Sequence, residues 1–323
     1  MLKDNIKKRK NKILIIIFSI ILFLLGSLFV EYIKNPLKLK TLIKCFDNNE
    51  ALILIMGIDK REGLDNVYRS DTIILCKLNF IKNKVNIVSI PRDAYVNILN
   101  HGNEKINHAY AYGGKDLLLK TIEDNYNVKI DKFIEFDFDI FKKIVDKIGN
   151  IEIDINEDMY FPDEGINLKK GIRELNSIDS LAFVRYRGMP SADLGRIENQ
   201  QYFLTQVLKK IKEKSNIFQK IDIAAGIMSN LNTNINIREA IYMLNKISNM
   251  EISTWIPDGN VEVINDISYL VFDNDINYKI KNFLDGNLIV YTDYSVFPYK
   301  KKLTNLDEKD NINNIDFNKN KYT

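Results

Sequence analysis

The chain has 323 residues, 46% of them hydrophobic and 28% charged, enough for one large domain with its own core plus accessory segments. Its formal charge is +3, but residues 1–12 carry six Lys or Arg against Asp4, a local +5, so everything after them sums to −2. That balance argues against a nucleic-acid-binding domain, which needs a basic footprint, and the only cysteines, Cys45 and Cys76, are too few for a disulfide framework.

Residues 13–30 form an apolar run of about 18 positions broken only by Ser19, Gly26 and Ser27, near the length a helix needs to cross a bilayer. The lysines before it are expected to stay in the cytoplasm, which puts the rest of the chain outside. The run is longer than a usual signal core and no clear small-x-small site follows, so an uncleaved single-pass anchor is expected rather than a cleaved signal peptide. Residues 34–50, with Pro36 and the Asp47-Asn48-Asn49 cluster, read as a stalk.

Ala51–Ile58 is a continuous apolar run ending near Gly57, as in a strand buried on both faces. Thr72–Leu78 and Val85–Ile90 are two more strands, joined by a turn through Asn79–Asn83. That hairpin puts Asp71 and Pro91-Arg92-Asp93 at one end, where Asp59 joins them if the first strand lies alongside. Gly113-Gly114 lacks the pattern of a phosphate loop and reads as a turn at a helix start, with Asp116–Asn125 helical. Phe133–Phe136 is a short strand, and an amphipathic helix through Phe141, Ile144, Val145 and Ile148 stops at Gly149-Asn150. The helices at 116–125 and 138–148 are expected to be core, with a lipid-accepting cleft against the sheet as the alternative.

Ile151, Ile153 and Ile155 alternate with acidic residues, as in a strand with one wet face. Helices follow at Ser177–Tyr186, at Gly195–Lys214 and twice within 220–250. Glu251–Pro257 and Ser268–Phe272 read as strands, 274–285 as a last helix, and 301–323 as a loose tail. Strands interspersed with helices predict an α/β class sheet covered on both faces.

Only nine of the 46 basic residues are arginine, and five of these fall between Arg69 and Arg92 or between Arg185 and Arg196. A chain that otherwise uses lysine keeps guanidinium where a planar fork must grip phosphate or carboxylate in two places. The bland alternative is structural pairing of these arginines with Asp71, Asp93 and Asp193. Asp59 and Asp71 are candidates for Mg²⁺, which takes one or two carboxylates and completes its shell with water and phosphate oxygens. His101 and His108 are the only histidines, and no serine or cysteine is placed as a triad partner, so covalent catalysis has little support. His101 is expected in a solvated loop and Cys76 in the core.

The ordered set Gly57-Ile58-Asp59, Arg69-Ser70-Asp71-Thr72, Ser89-Ile90-Pro91-Arg92-Asp93, Lys105-Ile106-Asn107, Ala109-Tyr110, Gly113-Gly114, Val145-Asp146, Gly149, Leu175-Asn176, Ala182–Arg187, Asp193–Arg196 and Gln200-Gln201 resembles the LytR-CpsA-Psr family of membrane-anchored cell-wall glycopolymer ligases. The resemblance implies a three-layer α/β/α sandwich with a central mixed sheet, preceded by one N-terminal transmembrane helix. The division it implies is a cytoplasmic tail at 1–12, an anchor at 13–33, an extracellular stalk at 34–50, a catalytic domain at 51–285 and an extension with a loose tail at 286–323.

The implied activity moves a phosphate-linked glycopolymer, of teichoic acid or surface polysaccharide type, from a polyprenyl-pyrophosphate carrier to a peptidoglycan sugar hydroxyl. By motif, Asp59 and Asp71 would hold Mg²⁺ or Mn²⁺, and Arg69, Arg92, Arg185, Arg187, Arg196 and Gln200 would grip the pyrophosphate. Arg69, Arg92, Asp93 and Asp193 would be catalytic, with either aspartate orienting arginines or helping to deprotonate the acceptor. Asn199 departs from the arginine that often precedes the glutamine pair in this family. A lipid-pyrophosphate hydrolase at the same site and a non-enzymatic precursor sensor are the alternatives; a cytoplasmic segment of about 12 residues has no room for a DNA-reading fold.

Overall fold

A computed structural model describes residues 46, 49–59, 68–188, 193–214, 216–293 and 300–305. The apolar run at 13–30 and most of the tail after 300 lie outside these residues, and among the described residues no helix is long and apolar enough to cross a membrane. In chain order the elements are β1 (Glu50–Asp59), β2 (Arg69–Asn79), β3 (Lys84–Ser89), β4 (Tyr95–Ile98), β5 (Gly102–Lys105), α1 (Ile106–Tyr126), β6 (Lys132–Phe136) and α2 (Phe138–Ile148). Next come β7 (Ile151–Ile155), β8 (Met159–Phe161), β9 (Ile166–Leu168), β10 (Gly171–Leu175), α3 (Ser177–Arg185), α4 (Asp193–Glu213) and α5 (Ile217–Met228). The chain continues through β11 (Asn232–Thr233), α6 (Ile237–Ile247), β12 (Glu251–Trp255), β13 (Asn260–Ile264), β14 (Ile267–Val271), α7 (Ile276–Leu284), β15 (Leu288–Asp293) and β16 (Lys300–Asn305).

Six strands form a mixed central sheet in the order β11-β6-β1-β2-β3-β12. The antiparallel meander β1-β2-β3 lies at its centre, with β6 parallel to β1 on one side and β12 parallel to β3 on the other. The turn between β2 and β3 forms because the Asn79 carboxamide oxygen accepts from the Ile81 and Lys82 amides, at 3.2 and 2.7 Å, and Asn83 tolerates a positive φ of 53°. Asp59, the Arg69–Asp71 segment and the chain leaving Ser89 therefore share the opposite end of the sheet.

The two faces of the sheet are covered differently. Along β1, Leu52, Leu54, Met56 and Ile58 pack into a closed core with Leu118 and Ile122 of α1 and Phe283 of α7. The alternate residues Ile53 and Ile55 face the other side, which is covered by α2, α4, α5 and α6. Sequence signals set the ends of these helices. Asp137 caps α2 by accepting from the Ile140 amide at 3.0 Å, and Gly149 ends it at a φ of 97°. A reciprocal capping box between Asn236 and Glu239 starts α6.

Several expectations change on inspection of the fold. Gly113-Gly114 does form the turn expected before helix 116–125, but the residues before it are helical as well, so α1 is two helical segments joined at a break where Gly114 has φ 62°, ψ −157°, a conformation open essentially to glycine alone. The alternating strand β7 does have one wet face, yet it pairs with β10 and lies outside the central sheet. Residues 301–305, which composition places in a loose tail, belong to β16 and pair with β15.

Between β1 and β2 the register slips: Gly57 faces Thr72 and Ile58 faces Ser70, so Asp71 is the extra residue of a bulge. The slip sits where the strands approach closely, and a β-carbon on Gly57 would lie 2.9 Å from the Thr72 β-carbon. Gly57→Ala is therefore expected to lower stability by about 1–3 kcal/mol, measured as a fall in the urea midpoint at unchanged slope.

Candidate active site

The ends of β1, β2 and β3 deliver one half of the site, and the segment from the end of α3 to the first turn of α4 delivers the other. Arg92 follows β3 on a backbone fixed from three sides: Ala94 N–H donates to Pro91 O at 3.0 Å, Asn107 N–H to Arg92 O at 3.3 Å, and Leu270 N–H to Asp93 O at 2.9 Å. Its guanidinium spans the two halves, with Nη1 at 2.8 Å from Asp71 Oδ2 and Nη2 at 3.4 Å from Asp193 Oδ1. Arg196 closes the ring from the other side, with Nη2 at 2.9 Å from Asp193 Oδ1 and Nη1 at 3.8 Å from Asp71 Oδ2. Arg187 adds a third guanidinium, 3.6 Å from the same Asp71 oxygen.

Three guanidinium groups thus meet the Asp71 and Asp193 carboxylates, with Asp93 3.8 Å from Arg92 Nε. Burial pulls the Arg92 pKa down, but the Asp71, Asp193 and Asp93 carboxylates outweigh it and hold it above the ordinary value. Arg196 is only 3% exposed, and burial, partly offset by Asp193, brings its pKa down to about 10, still charged at neutral pH. The Nε–H groups of Arg92 and Arg196 are buried without a hydrogen-bond acceptor. Buried guanidinium donors with no acceptor are costly unless an anion completes them.

Beside the ring lies a cavity of about 340 Å³ between the sheet and helices α2, α4, α5 and α6. Protein interiors seldom hold voids larger than a water molecule, so a space of this size is a built feature. Asp59, Asp71, Arg185, Arg187, Arg196 and Gln200 belong to its lining, and the remainder is overwhelmingly apolar. Phe141, Ile144 and Ile148 of α2 are part of that lining, so the helix expected to be core covers a hollow instead. Helix 116–125 does close the core, through Leu118 and Ile122.

The other predicted residues are distributed around this centre. Arg185 pairs with Glu164 at 3.0 Å and stacks 5.0 Å over the Phe138 ring, and Gln200 Nε2 donates to Val184 O at 3.3 Å. Asp93 Oδ1 accepts from Lys105 Nζ at 2.8 Å, and its other oxygen lies 3.8 Å from Arg92 Nε. Asp93 therefore acts on Arg92 from behind. Arg69 stands apart from the ring: it is exposed, and its charge, second to burial, pushes the His108 pKa below its ordinary value. Asn199 is buried, and its Nδ2 has no hydrogen-bond partner. Cys76 is buried in the cavity wall, where desolvation pushes its thiol up to about 12 and keeps it unreactive.

Among the described residues no group of three or more His, Cys, Asp or Glu side chains is disposed to hold a metal. Asp59 and Asp71, on neighbouring strands at the cavity wall, fit a cation that takes two carboxylates and finds its other ligands in water and substrate oxygens. Lys105 and Glu164 are the site residues that residue-level pattern reasoning missed. Lys105 is legible only as part of the Lys105-Ile106-Asn107 motif, and Glu164 lies in a single 3-10 turn, Pro162–Glu164, too short to give a periodic signal.

The model of the LytR_cpsA_psr family matches residues 32–285. The chain belongs to the LytR-CpsA-Psr family. It is 31% identical over 270 residues to the polyisoprenyl-teichoic acid–peptidoglycan teichoic acid transferase TagU of Oceanobacillus iheyensis, covering 79% of this chain and 81% of that protein. Among solved LytR-CpsA-Psr structures, TagT bound to LIIa-WTA superposes with a TM-score of 0.65 at 28% identity, over 76% of this chain and 93% of that one. TagT (YwtF) with bound octaprenyl pyrophosphate lipid superposes at 0.60 with 26% identity, over the same shares.

Because Asp193 holds both Arg92 and Arg196, Asp193→Asn is expected to cost about 1–3 kcal/mol of folding stability by leaving buried guanidinium charge less compensated. Urea unfolding of the variant against the parent measures this.

Proposed function

We propose that this chain is a membrane-anchored phosphotransferase that moves a phosphate-linked glycopolymer from a polyprenyl-pyrophosphate carrier to a peptidoglycan sugar hydroxyl on the outer face of the membrane. The observation that carries this reading is the adjacency of an arginine-rich ring, with guanidinium donors that no protein acceptor fills, to a large apolar cavity. A ligand that satisfies both must be an anion joined to a long apolar tail. The names of the relatives, which include a teichoic acid transferase and a structure with a polyprenyl pyrophosphate lipid, support the same substrate class. The apolar run at 13–30 with its preceding lysines supports the anchor at 13–33 and an external catalytic domain.

In this mechanism the pyrophosphate lies along Arg92, Arg187 and Arg196, whose buried Nε–H groups on Arg92 and Arg196 gain acceptors, with Arg185 and Gln200 at the cavity wall. The polyprenyl tail lies among Phe141, Phe203 and Leu208. Asp59 and Asp71 would hold Mg²⁺ or Mn²⁺, which when bound would neutralise phosphate charge. The acceptor oxygen bonds to the glycan-linked phosphorus, the P–O bond to the second phosphate breaks, and polyprenyl phosphate leaves with the electron pair. The hydroxyl proton passes to the leaving phosphate or to solvent. Lys105 engages one oxygen of Asp93 and two arginines engage one oxygen of Asp193, so both carboxylates position the guanidinium groups. Catalysis is then orientation plus charge stabilisation, which is what phosphoryl transfer chiefly demands of a protein.

The test uses the full chain in detergent with a synthetic polyprenyl-pyrophosphate glycan, peptidoglycan and Mg²⁺. A covalent glycan–peptidoglycan conjugate is expected, and free glycan phosphate alone would identify a hydrolase. Asp71→Ala is expected to abolish conjugation, as is chelation of divalent cations, the latter reversed by added Mg²⁺. Undiminished turnover in Asp71→Ala would sink the metal assignment. Arg92→Lys keeps the charge but loses the fork that reaches Asp71 and Asp193 together, and is expected to lower kcat by about 100-fold.

A further inference from the structure

The cavity lies on the face of the sheet covered by α2, α4, α5 and α6. If the leaving polyprenyl phosphate departs toward it, an in-line displacement brings the acceptor oxygen from the opposite side of the phosphorus. The other face of the sheet is closed by α1 and α7, and its rim beside the reaction loop, residues 91–94 after β3, is the β4–β5 hairpin with the first half of α1. This rim is stitched to the reaction loop. Lys105 Nζ donates to Asp93, Ile106 N–H donates to Ala94 O at 2.9 Å, and Asn107 N–H donates to Arg92 O.

The rim carries a set of side chains that neither the core nor the arginine ring uses. His101, at the tip of the hairpin, stacks on Tyr112 of α1 with ring centroids 4.2 Å apart and planes 12° from parallel. Both residues are exposed, Tyr112 to 47%. Two exposed rings from different elements stacked face to face brace each other and leave each ring only its outer π-face for a ligand. One turn before Tyr112, His108 meets Glu104, Nδ1 to Oε2 at 3.0 Å. A neutral His108 that donates from Nδ1 to Glu104 keeps Nε2 as an acceptor. Immediately after the stack the Gly113-Gly114 break ends the helical segment, so Tyr112 stands at its edge.

We propose that the His101–Tyr112 stack and the Glu104–His108 pair form the binding face for the acceptor glycan. A pyranose ring presents a patch of axial C–H groups to a π-face while its hydroxyl and N-acetyl groups take hydrogen bonds at the edge, and this rim supplies both kinds of partner. The ligand class is an oligosaccharide of N-acetylated amino sugars. The inference rests on the phosphotransferase reading for the direction of approach, and on the rim's own geometry for the ligand class.

The full chain in detergent is given the lipid-pyrophosphate glycan and increasing amounts of a soluble peptidoglycan oligosaccharide. His101→Ala and Tyr112→Ala, both at exposed positions that packing does not need, are each expected to raise the KM for the oligosaccharide by about 10-fold or more. The Kd for the lipid-pyrophosphate donor is expected to stay at the parent value. Tyr278→Ala, an exposed tyrosine remote in sequence on α7, serves as the control and is expected to change neither. Unchanged acceptor KM in both rim variants overturns the proposal.

If the parent chain binds donor but forms no conjugate, the phosphotransferase reading fails. The rim is then tested by saturation-transfer NMR with the same oligosaccharide. A signal in the parent that disappears in Tyr112→Ala upholds the glycan face, and no signal in the parent overturns it.

Discussion

The arrangement depends on a closed circuit of charge in which Asp71 and Asp193 alternate with Arg92 and Arg196. Its members come from two segments about a hundred residues apart, and each arginine touches both carboxylates. Partly buried charges need partners, and with both neighbours shared, no single pair can open without loading the other. The circuit therefore fixes the start of α4 against the ends of β2 and β3 while leaving donors on Arg92 and Arg196 that the protein itself does not fill. An anion added there completes hydrogen bonds that the fold has already paid to desolvate.

The sheet explains why such a circuit has an apolar hollow beside it. On one face the closed core holds the strands rigid through Leu54, Met56 and Leu75 against α1 and α7. On the other, Ile53, Ile55 and Ile74 point into an unfilled space roofed by α2, α4, α5 and α6. A rigid face and a hollow face on the same strands let the strand ends hold polar groups in fixed geometry at the rim of an apolar chamber. An amphiphilic substrate needs both at once, and neither alone would distinguish a lipid-linked pyrophosphate from a free nucleotide or a free lipid.

Much of this was legible in the sequence because the responsible signals are local. The apolar runs of β1 to β3, the asparagine turn between β2 and β3, the cap at Asp137 and the stop at Gly149 all act within a few residues, and they place Asp59, Asp71 and Arg92 at one end. Whether a helix covers core or hollow was not legible, since Phe141, Ile144 and Ile148 have the composition and spacing of core residues. Arg69 illustrates a different limit. Simple alternation puts Arg69 and Asp71 on one side of β2, but the bulge opposite Gly57-Ile58 inserts Asp71 as an extra residue, and the two part company: Asp71 enters the circuit and Arg69 faces solvent near His108. The short strands β4, β5, β8, β9 and β13 were also missed, although β14 was read as Ser268–Phe272, because strands of three to five residues with little apolar alternation give too weak a signal to read.

One ligand must occupy the charge circuit and the hollow together. A crystal structure of the full chain with a polyprenyl pyrophosphate of intermediate length tests this directly. The account predicts pyrophosphate oxygens within hydrogen-bond distance of Arg92 and Arg196, with the prenyl tail running between the sheet and α2 past Phe141 and Phe203. A pyrophosphate bound away from these arginines, or a tail lying outside the cavity, would contradict it.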